Sequence, residues 1–433
     1  MKLIVRFFLP LLAGNLFQQL YSFVDSVVVG KGIGDKALAA VGNTGSVNFL
    51  ILGFAIGLTG GLGISISQSF GADDREKMRR EIAMSVVICL TVGVTVTVIS
   101  LACMRPLFVF LQTPADMLES TLEYFRVILV GTTISVFNNF AMTLLRSVGN
   151  SKVPLYAMVM SSVVNIVLDI LFVFQLGMGV FGAALATVLA QAFSALYCFC
   201  FIRSIGGLIP KKEDWRLRPD ILKNLTGKGL PVAVMNSVTA VGGMVLQYFV
   251  NAMGTGYVAA YAAAMKVCGL FEQAGGTVGL AMLTFTGQNF GAAKYDRIRR
   301  GVWDGILLSV LINIPLALAE FCIPEILTSF MLNDPVIISY TREFLPITGL
   351  ALFPLGGLFV FRNASQGMGK TFVPMLSGVL EVIMRVGMAK LLVPRLAFRG
   401  VAFAEISAWV AACIMLMITY EIYISKYRKK NVT

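Results

Sequence analysis

Long apolar runs alternate along this chain with short polar stretches that are mostly basic. A helix needs about 20 mostly apolar residues to cross the hydrocarbon core of a bilayer. Twelve runs meet that need, at residues 7–29, 37–69, 82–104, 122–145, 153–175, 180–202, 229–252, 257–288, 302–323, 337–361, 373–394 and 400–425. The pattern predicts an all-α membrane protein with twelve transmembrane helices. Lys2 and Arg6 precede the first run, as they would in a signal peptide. No small-residue cleavage site follows, and Asp25 interrupts the run, so it reads as the first span.

The polar connections separate into two sets. Basic residues collect at the N-terminus (Lys2, Arg6), in the even-numbered connections and at the C-terminus, with seven between Arg203 and Lys228 and Arg362 and Lys370 in the tenth connection. Together these hold 25 of the 35 Lys and Arg residues. By the positive-inside rule both termini are cytoplasmic and the chain is a multi-pass protein of the cell inner membrane. The net charge of +12 is therefore a topology signal, and no nucleic-acid partner is expected.

The two halves repeat. "SQSFGADDREKMRR" begins at Ser67 and "GQNFGAAKYDRIRR" at Gly287, 220 residues on. "VGNSKVP", ending at Pro154, is answered by "MGKTFVP", ending at Pro374, at the same interval. Leu9-Pro10 returns as Leu230-Pro231, one residue out of step. The expected organisation is an N-lobe over 1–208 (helices 1–6), a cytoplasmic linker over 209–228 and a C-lobe over 229–433 (helices 7–12), two pseudo-symmetric six-helix bundles. Parallel repeats of this kind favour a substrate path at the repeat interface and rocking of one bundle against the other.

Composition agrees: 57% of residues are hydrophobic and 13% charged, and the mean hydropathy is +0.82. There is no histidine, which removes Ser-His-Asp and Cys-His schemes and most zinc sites. The seven cysteines lie within apolar runs without a CxxC pair and read as small core residues. No metal-ligand spacing or phosphate loop argues for an enzyme, and the paired-lobe repeat argues against a channel.

"FFLPLLAGNLFQQLYSFVDSVVVG", the "QSFGA" and "QNFGA" endings, "LLRSVGNSKVP", "NIVLDILFVF", "GVFGAALAT" and "LEVIMRV" occur in one order over nearly the whole chain. Together they resemble the multidrug and toxic compound extrusion (MATE) family, of the bacterial, DinF-like type. The resemblance implies a two-lobed secondary antiporter that exports small organic cations and drugs against inward H⁺ or Na⁺. It implies no cofactor beyond the coupling ion and a chain that works as a monomer in the lipid bilayer. A flippase for lipid-linked saccharides, on similar helices, is the alternative from the same superfamily. It predicts a basic cavity for a phosphate headgroup, where only Arg385 and Lys266 stand, each with acidic residues nearby.

Ionisable groups inside spans are costly and mark function. Asp25, Asp169 and Thr187 lie roughly 6, 9 and 10 Å from the outer ends of spans one, five and six at 1.5 Å per residue. Asn165 is one turn from Asp169 on the same face. Two carboxylates with amide and hydroxyl oxygens suit Na⁺, or a pair that holds a proton, since two close carboxylates in a low dielectric do not comfortably both ionise. Each can also serve as an interhelical hydrogen bond, so both readings stay open. The family's N-lobe cation site falls on Asp25, Asn165, Asp169 and Thr187. Adding 220 gives Arg385 for Asn165 and Ala389 for Asp169, while Asp25 corresponds to Leu246 or Gln247, so the second half lacks both acids.

The second half offers Lys266 and Glu272 in the eighth span and Glu381 and Arg385 at i, i+4 in the eleventh, read as internal ion pairs that orient helices. Some family members place a glutamate near the start of the seventh span; "LPVAVMNSV" has Asn236 there and no acid. Pro10 is expected to kink the first span, or else to sit at a helix start where proline is tolerated. Gln18, Gln19, Asn48, Asn138, Asn139 and Gln247 are the candidate polar residues of a substrate path, and helix-to-helix hydrogen bonds explain them as well.

Overall fold

The computed structural model describes residues 1–111, 113–332 and 334–432. The side chains of Phe23, Asp35, Lys36, Leu38, Ala39, Ser46, Ala115, Asp116 and residues 429–432, Lys429 and Lys430 of the basic count included, are outside that description. The described chain is helical throughout, with no β-strand. Its helices are α1 (Lys2–Gly32), α2 (Asp35–Gly71), α3 (Arg75–Phe110), α4 (Ala115–Val130), α5 (Thr132–Ser147), α6 (Lys152–Asp169), α7 (Gly179–Ser204) and α8 (Pro219–Asn251). They continue with α9 (Thr255–Gly291), α10 (Tyr295–Cys322), α11 (Pro324–Ser329), α12 (Pro335–Thr341), α13 (Leu345–Gly367), α14 (Phe372–Leu396) and α15 (Phe398–Val432).

Each of the twelve apolar runs is covered by one helix, or by two in sequence. Nine stretches among the described residues are long and apolar enough to cross a membrane, and ten if the bent pair α4 and α5 counts as one span. The other two runs are α9, rich in Ala and Gly, and α14, which carries Glu381, Arg385, Lys390 and Arg395. The break between α4 and α5 is a 46° bend at Gly131. A Cβ at Gly131 would stand 2.4 Å from a methyl of Val188, so α7 presses on the chain where it turns.

The internal repeat is written into the backbone. Positive φ angles occur at Gly34 and Gly254 (119° and 106°), at Asp73 and Ala293 (56° and 55°) and at Gly149 and Gly369 (87° and 78°), three pairs each 220 residues apart. Left-handed backbone is rare outside glycine, so its recurrence at one interval marks the same corner turned twice. α2 and α9 repeat in length as well, both with 37 residues.

Two compact units result, one of Leu9–Ala233 and the other of Val234–Thr433 together with Met1–Phe8. The chain changes unit next to Pro10 and again three residues after Pro231. In the first unit α2, α3, α5, α6 and α7 pack around Leu58, Leu62, Met84, Phe140, Leu144 and Ala157. There α2 meets the first turns of α8 backbone to backbone: a Cβ at Gly61 would stand 2.4 Å from the Cα of Gly229.

The segment expected as a linker is partly helical. Residues 219–228 form the first turns of α8, where Lys228 Nζ donates to Ser65 Oγ and Gln68 Oε1 of α2, each at 2.9 Å. Before it, a 3₁₀ turn at Lys212–Trp215 places Asp214 to accept from Arg79 Nε at 3.2 Å and from the Lys211 backbone N–H at 2.8 Å. The basic residues of this stretch thus divide between topology and packing.

Two sequence-level readings need correction here. Arg362, counted with the tenth connection, is buried inside α13. All seven cysteines are free, but Cys103, Cys200 and Cys322 are exposed on helix surfaces; a bilayer-facing surface accepts an apolar thiol as readily as a core does.

Candidate functional site

In the first unit residues singled out on α1 and α6 come together, and α7, which carries Thr187, packs in the same apolar cluster as α1. α6 presents Asn165 and Asp169 one turn apart, 1% and 0% exposed. α1 brings Asp25 close enough for its carboxyl group and that of Asp169 to feel each other's charge. Both oxygens of Asp169, Oδ1 of Asp25 and both amide atoms of Asn165 are buried with no hydrogen-bond partner among the described residues. A buried polar group left unpartnered costs about 1–3 kcal/mol. Five such atoms lie on two neighbouring helices.

Ionised carboxylates only accept hydrogen bonds. Two of them in a low dielectric repel when both are ionised. Thr187 of α7 is half-buried and donates to its own helix, to the Ala183 carbonyl at 3.2 Å. That leaves its lone pairs, and no proton, for a ligand.

The surroundings explain how the site keeps its shape. Tyr21, one turn before Asp25, and Tyr124 of α4 lie close enough to feel the charge of both carboxylates. Val28, Val29, Tyr124, Val173, Val180 and Ala184 pack as an apolar cluster on the same helices. Directly after Asp169 the helix widens into a π turn, Ile170–Gln175, whose Val173 and Phe174 close against Gly32 at the end of α1. Such turns are rare and frequent at functional sites. The corresponding stretch of α14, residues 390–395, is ordinary α-helix.

Pro10 stands in the interior of α1, eight residues beyond its first residue, so the helix-start reading does not hold. Its ring removes the backbone bond to the Arg6 carbonyl. Among the path candidates, Gln18 and Gln19 are exposed and Asn48 is half-buried. Asn138 is buried with Oδ1 unpartnered. Asn139 donates to the Ser135 carbonyl at 2.9 Å, and Gln247 to Asn251 Oδ1 at 2.7 Å.

In the second unit the position equivalent to Asn165 carries an ion pair. Arg385 Nε and Nη2 donate to the two carboxylate oxygens of Glu405 at 2.9 and 2.7 Å. The expected ion pair of Glu381 with Arg385 is present at 3.7 Å, and Glu381 also accepts a hydrogen bond from Arg362. Lys266 is exposed and makes no ion pair with Glu272 among the described residues. Six residues of helix turn through about 240° net, which sets the two on different faces. Tyr21, Tyr124, Glu320, Arg362 and Glu405 were not anticipated at the sequence level. The two acids sit inside predicted spans, where the criterion that found Asp25 and Asp169 points to them equally.

Comparison with known proteins gives one family. The MatE family model matches residues 10–171 and 231–389. The chain is 24% identical over 386 residues to "Probable multidrug resistance protein YoeA" of Bacillus subtilis (strain 168), covering 87% of this chain and 83% of that one. It is 26% identical over 393 residues to "Probable multidrug resistance protein NorM" of Thermotoga maritima, covering 88% and 83%. A crystal structure of MATE in the bent conformation superposes with a TM-score of 0.92 at 27% identity, over 100% of this chain and 97% of the other.

Proposed function

The chain belongs to the MatE family of membrane transporters, and from that premise we propose that it is a secondary antiporter. It exports small organic cations and drugs across the cell inner membrane in exchange for inward H⁺ or Na⁺, as a monomer with both termini cytoplasmic. The names of its relatives as multidrug resistance proteins support the substrate class. The distribution of Lys and Arg supports the orientation.

One observation carries the coupling: Asp25 and Asp169 lie close enough to feel each other's charge, with Asn165 one turn from Asp169 and no neutralising side chain among the described residues. Two unit charges about 4 Å apart repel by about 4 kcal/mol at an effective dielectric of 20. A proton or Na⁺ between them removes that repulsion and draws α1 toward α6. Its departure restores the repulsion, so the packing of α1 follows occupancy. Pro10, which weakens α1 in its interior, gives the helix a place to bend. Access then alternates because the ion and the organic cation favour different positions of α1.

A saccharide-lipid flippase would need an uncommitted basic group for a phosphate. Arg385 is not one, being held by Glu405 and Glu381; Lys266, exposed and without an ion pair among the described residues, remains a candidate for that reading. The deciding experiment is transport of a fluorescent cation in everted vesicles, where export appears as accumulation in the lumen, with pH and Na⁺ gradients imposed separately, for wild type and Asp169→Asn. The antiporter reading expects one gradient to drive efflux in the wild type and neither to do so in the variant. Undiminished gradient-driven efflux in the variant removes Asp169 from the coupling role.

A further inference from the structure

The second unit contains buried acids that the Asp25–Asp169 site does not use. Glu381 and Glu405 are held by Arg362 and Arg385 as described, with Glu272 close enough to feel Arg385, Glu405, Glu320 and Glu381. Glu320, two residues before the end of α10, is 0% exposed. This makes four carboxyl groups against two guanidiniums, and arginine does not give up its charge inside a protein. Glu381 and Glu405 have the two arginines; Glu272 and Glu320 have no cation of their own among the described residues.

The contacts of Glu320 show how its proton is used. Thr348 Oγ1 of α13 lies 3.1 Å from Glu320 Oε2 and 3.0 Å from the Leu345 carbonyl of its own helix. Cys268 Sγ of α9 lies 3.5 Å from the same hydroxyl and within hydrogen-bond reach of the acid. A threonine hydroxyl has a single proton, which in a helix commonly returns to the carbonyl three or four residues back. When it does so, the contact with Glu320 is a hydrogen bond only if Glu320 donates. The other oxygen, Oε1, is buried with no hydrogen-bond partner among the described residues, a position that suits the carbonyl of a neutral acid better than a charge.

Among the described residues, the elements around Glu320 supply no cation in contact with it. α9 turns Cys268 and Glu272 toward it, α13 contributes the neutral Thr348, and Glu325 of the adjoining α11 is occupied at the surface with Arg342 at 3.8 Å. Glu405 of α15 and Glu381 of α14 are reached only through Cys268 and Glu272.

We propose that Glu320, bonded to Thr348 and flanked by Cys268, is a second proton-binding site, separate from Asp25 and Asp169, whose proton exchanges with the medium during the transport cycle. The exchange during transport rests on the antiporter reading; the bound proton does not.

The test is an infrared pH titration of the full-length protein in liposomes, following the carbonyl stretch of protonated carboxylic acids, for wild type, Glu320→Gln, Thr348→Val and Asp169→Asn. The expected result is a titrating band that disappears in Glu320→Gln, shifts in frequency in Thr348→Val and persists in Asp169→Asn. Protons released per organic cation bound should also fall in Glu320→Gln. The proposal is overturned if Glu320→Gln leaves every acid band of the wild type in place, or if the lost band is one that never titrates. It is also overturned if the proton count is unchanged. Should Glu320→Gln fail to fold, the shift or constancy of the band in Thr348→Val decides alone. Absence of driven efflux in the wild type would defeat the antiporter reading and leave the infrared result standing.

Discussion

Arg385 stands in α14 where Asn165 stands in α6, 220 residues earlier. The Asn165 amide has no partner and lies one turn from a carboxylate in the same condition. The Arg385 guanidinium is gripped by Glu405 through two hydrogen bonds. At equivalent positions one half of a duplicated fold carries an amide beside a carboxylate and the other a guanidinium paired with one.

Asp169→Asn should trade activity for stability. The amide can donate to Asp25, which nothing does in the native pair, so thermal unfolding in detergent should show a gain of about 1–3 kcal/mol. Gradient-driven efflux should fall at least about tenfold, equivalent to about 1.4 kcal/mol. A variant that is destabilised yet transports normally would contradict both halves of the argument.

Glu405→Gln removes one member of a buried pair and leaves Arg385 without its main counter-charge. The expected cost is about 3–5 kcal/mol, visible as a lowered Tm. The double variant Arg385→Met with Glu405→Met should recover most of it, since Glu381 keeps Arg362. If the double variant is no more stable than the single one, the pair matters for something other than mutual neutralisation.

Pro10→Ala restores the backbone bond to the Arg6 carbonyl and should straighten and stiffen α1. Abundance in the membrane should match the wild type while efflux falls. Equal efflux rates at equal abundance would leave Pro10 without a role in the cycle.

Ala293→Gly relaxes a left-handed alanine, φ 55°, and should stabilise by about 1–2 kcal/mol without altering efflux. Asp73→Gly at the equivalent corner should gain less. Aspartate tolerates this region, and its Oδ1 accepts from Arg75 Nε at 2.9 Å. Chemical unfolding of the two variants side by side measures the difference.

The helical passages and the repeat were readable because the bilayer forces long apolar runs and because duplication preserved the corners. The candidate site was readable for a related reason: Asp25 and Asp169 interrupt apolar runs at a cost that only function explains. What escaped depended on distant contacts. Glu405 lies twenty residues from Arg385 in sequence, so only the nearer Glu381 was legible as its partner. Tyr21 and Tyr124 resemble the aromatic residues that any membrane helix carries. The bend at Gly131 and the π turn after Asp169 answer to neighbouring helices, Val188 and Gly32, and no local motif announces them.

The matched left-handed turns at Gly34 and Gly254, and at Gly149 and Gly369, make the two halves interchangeable at their seams. A chimera joined at those glycines meets the same exit direction on either side, so segments can be transplanted between halves without redesigning the joints. The chemistry of each half becomes a cassette, and which cassette drives the cycle becomes a question that grafting can answer.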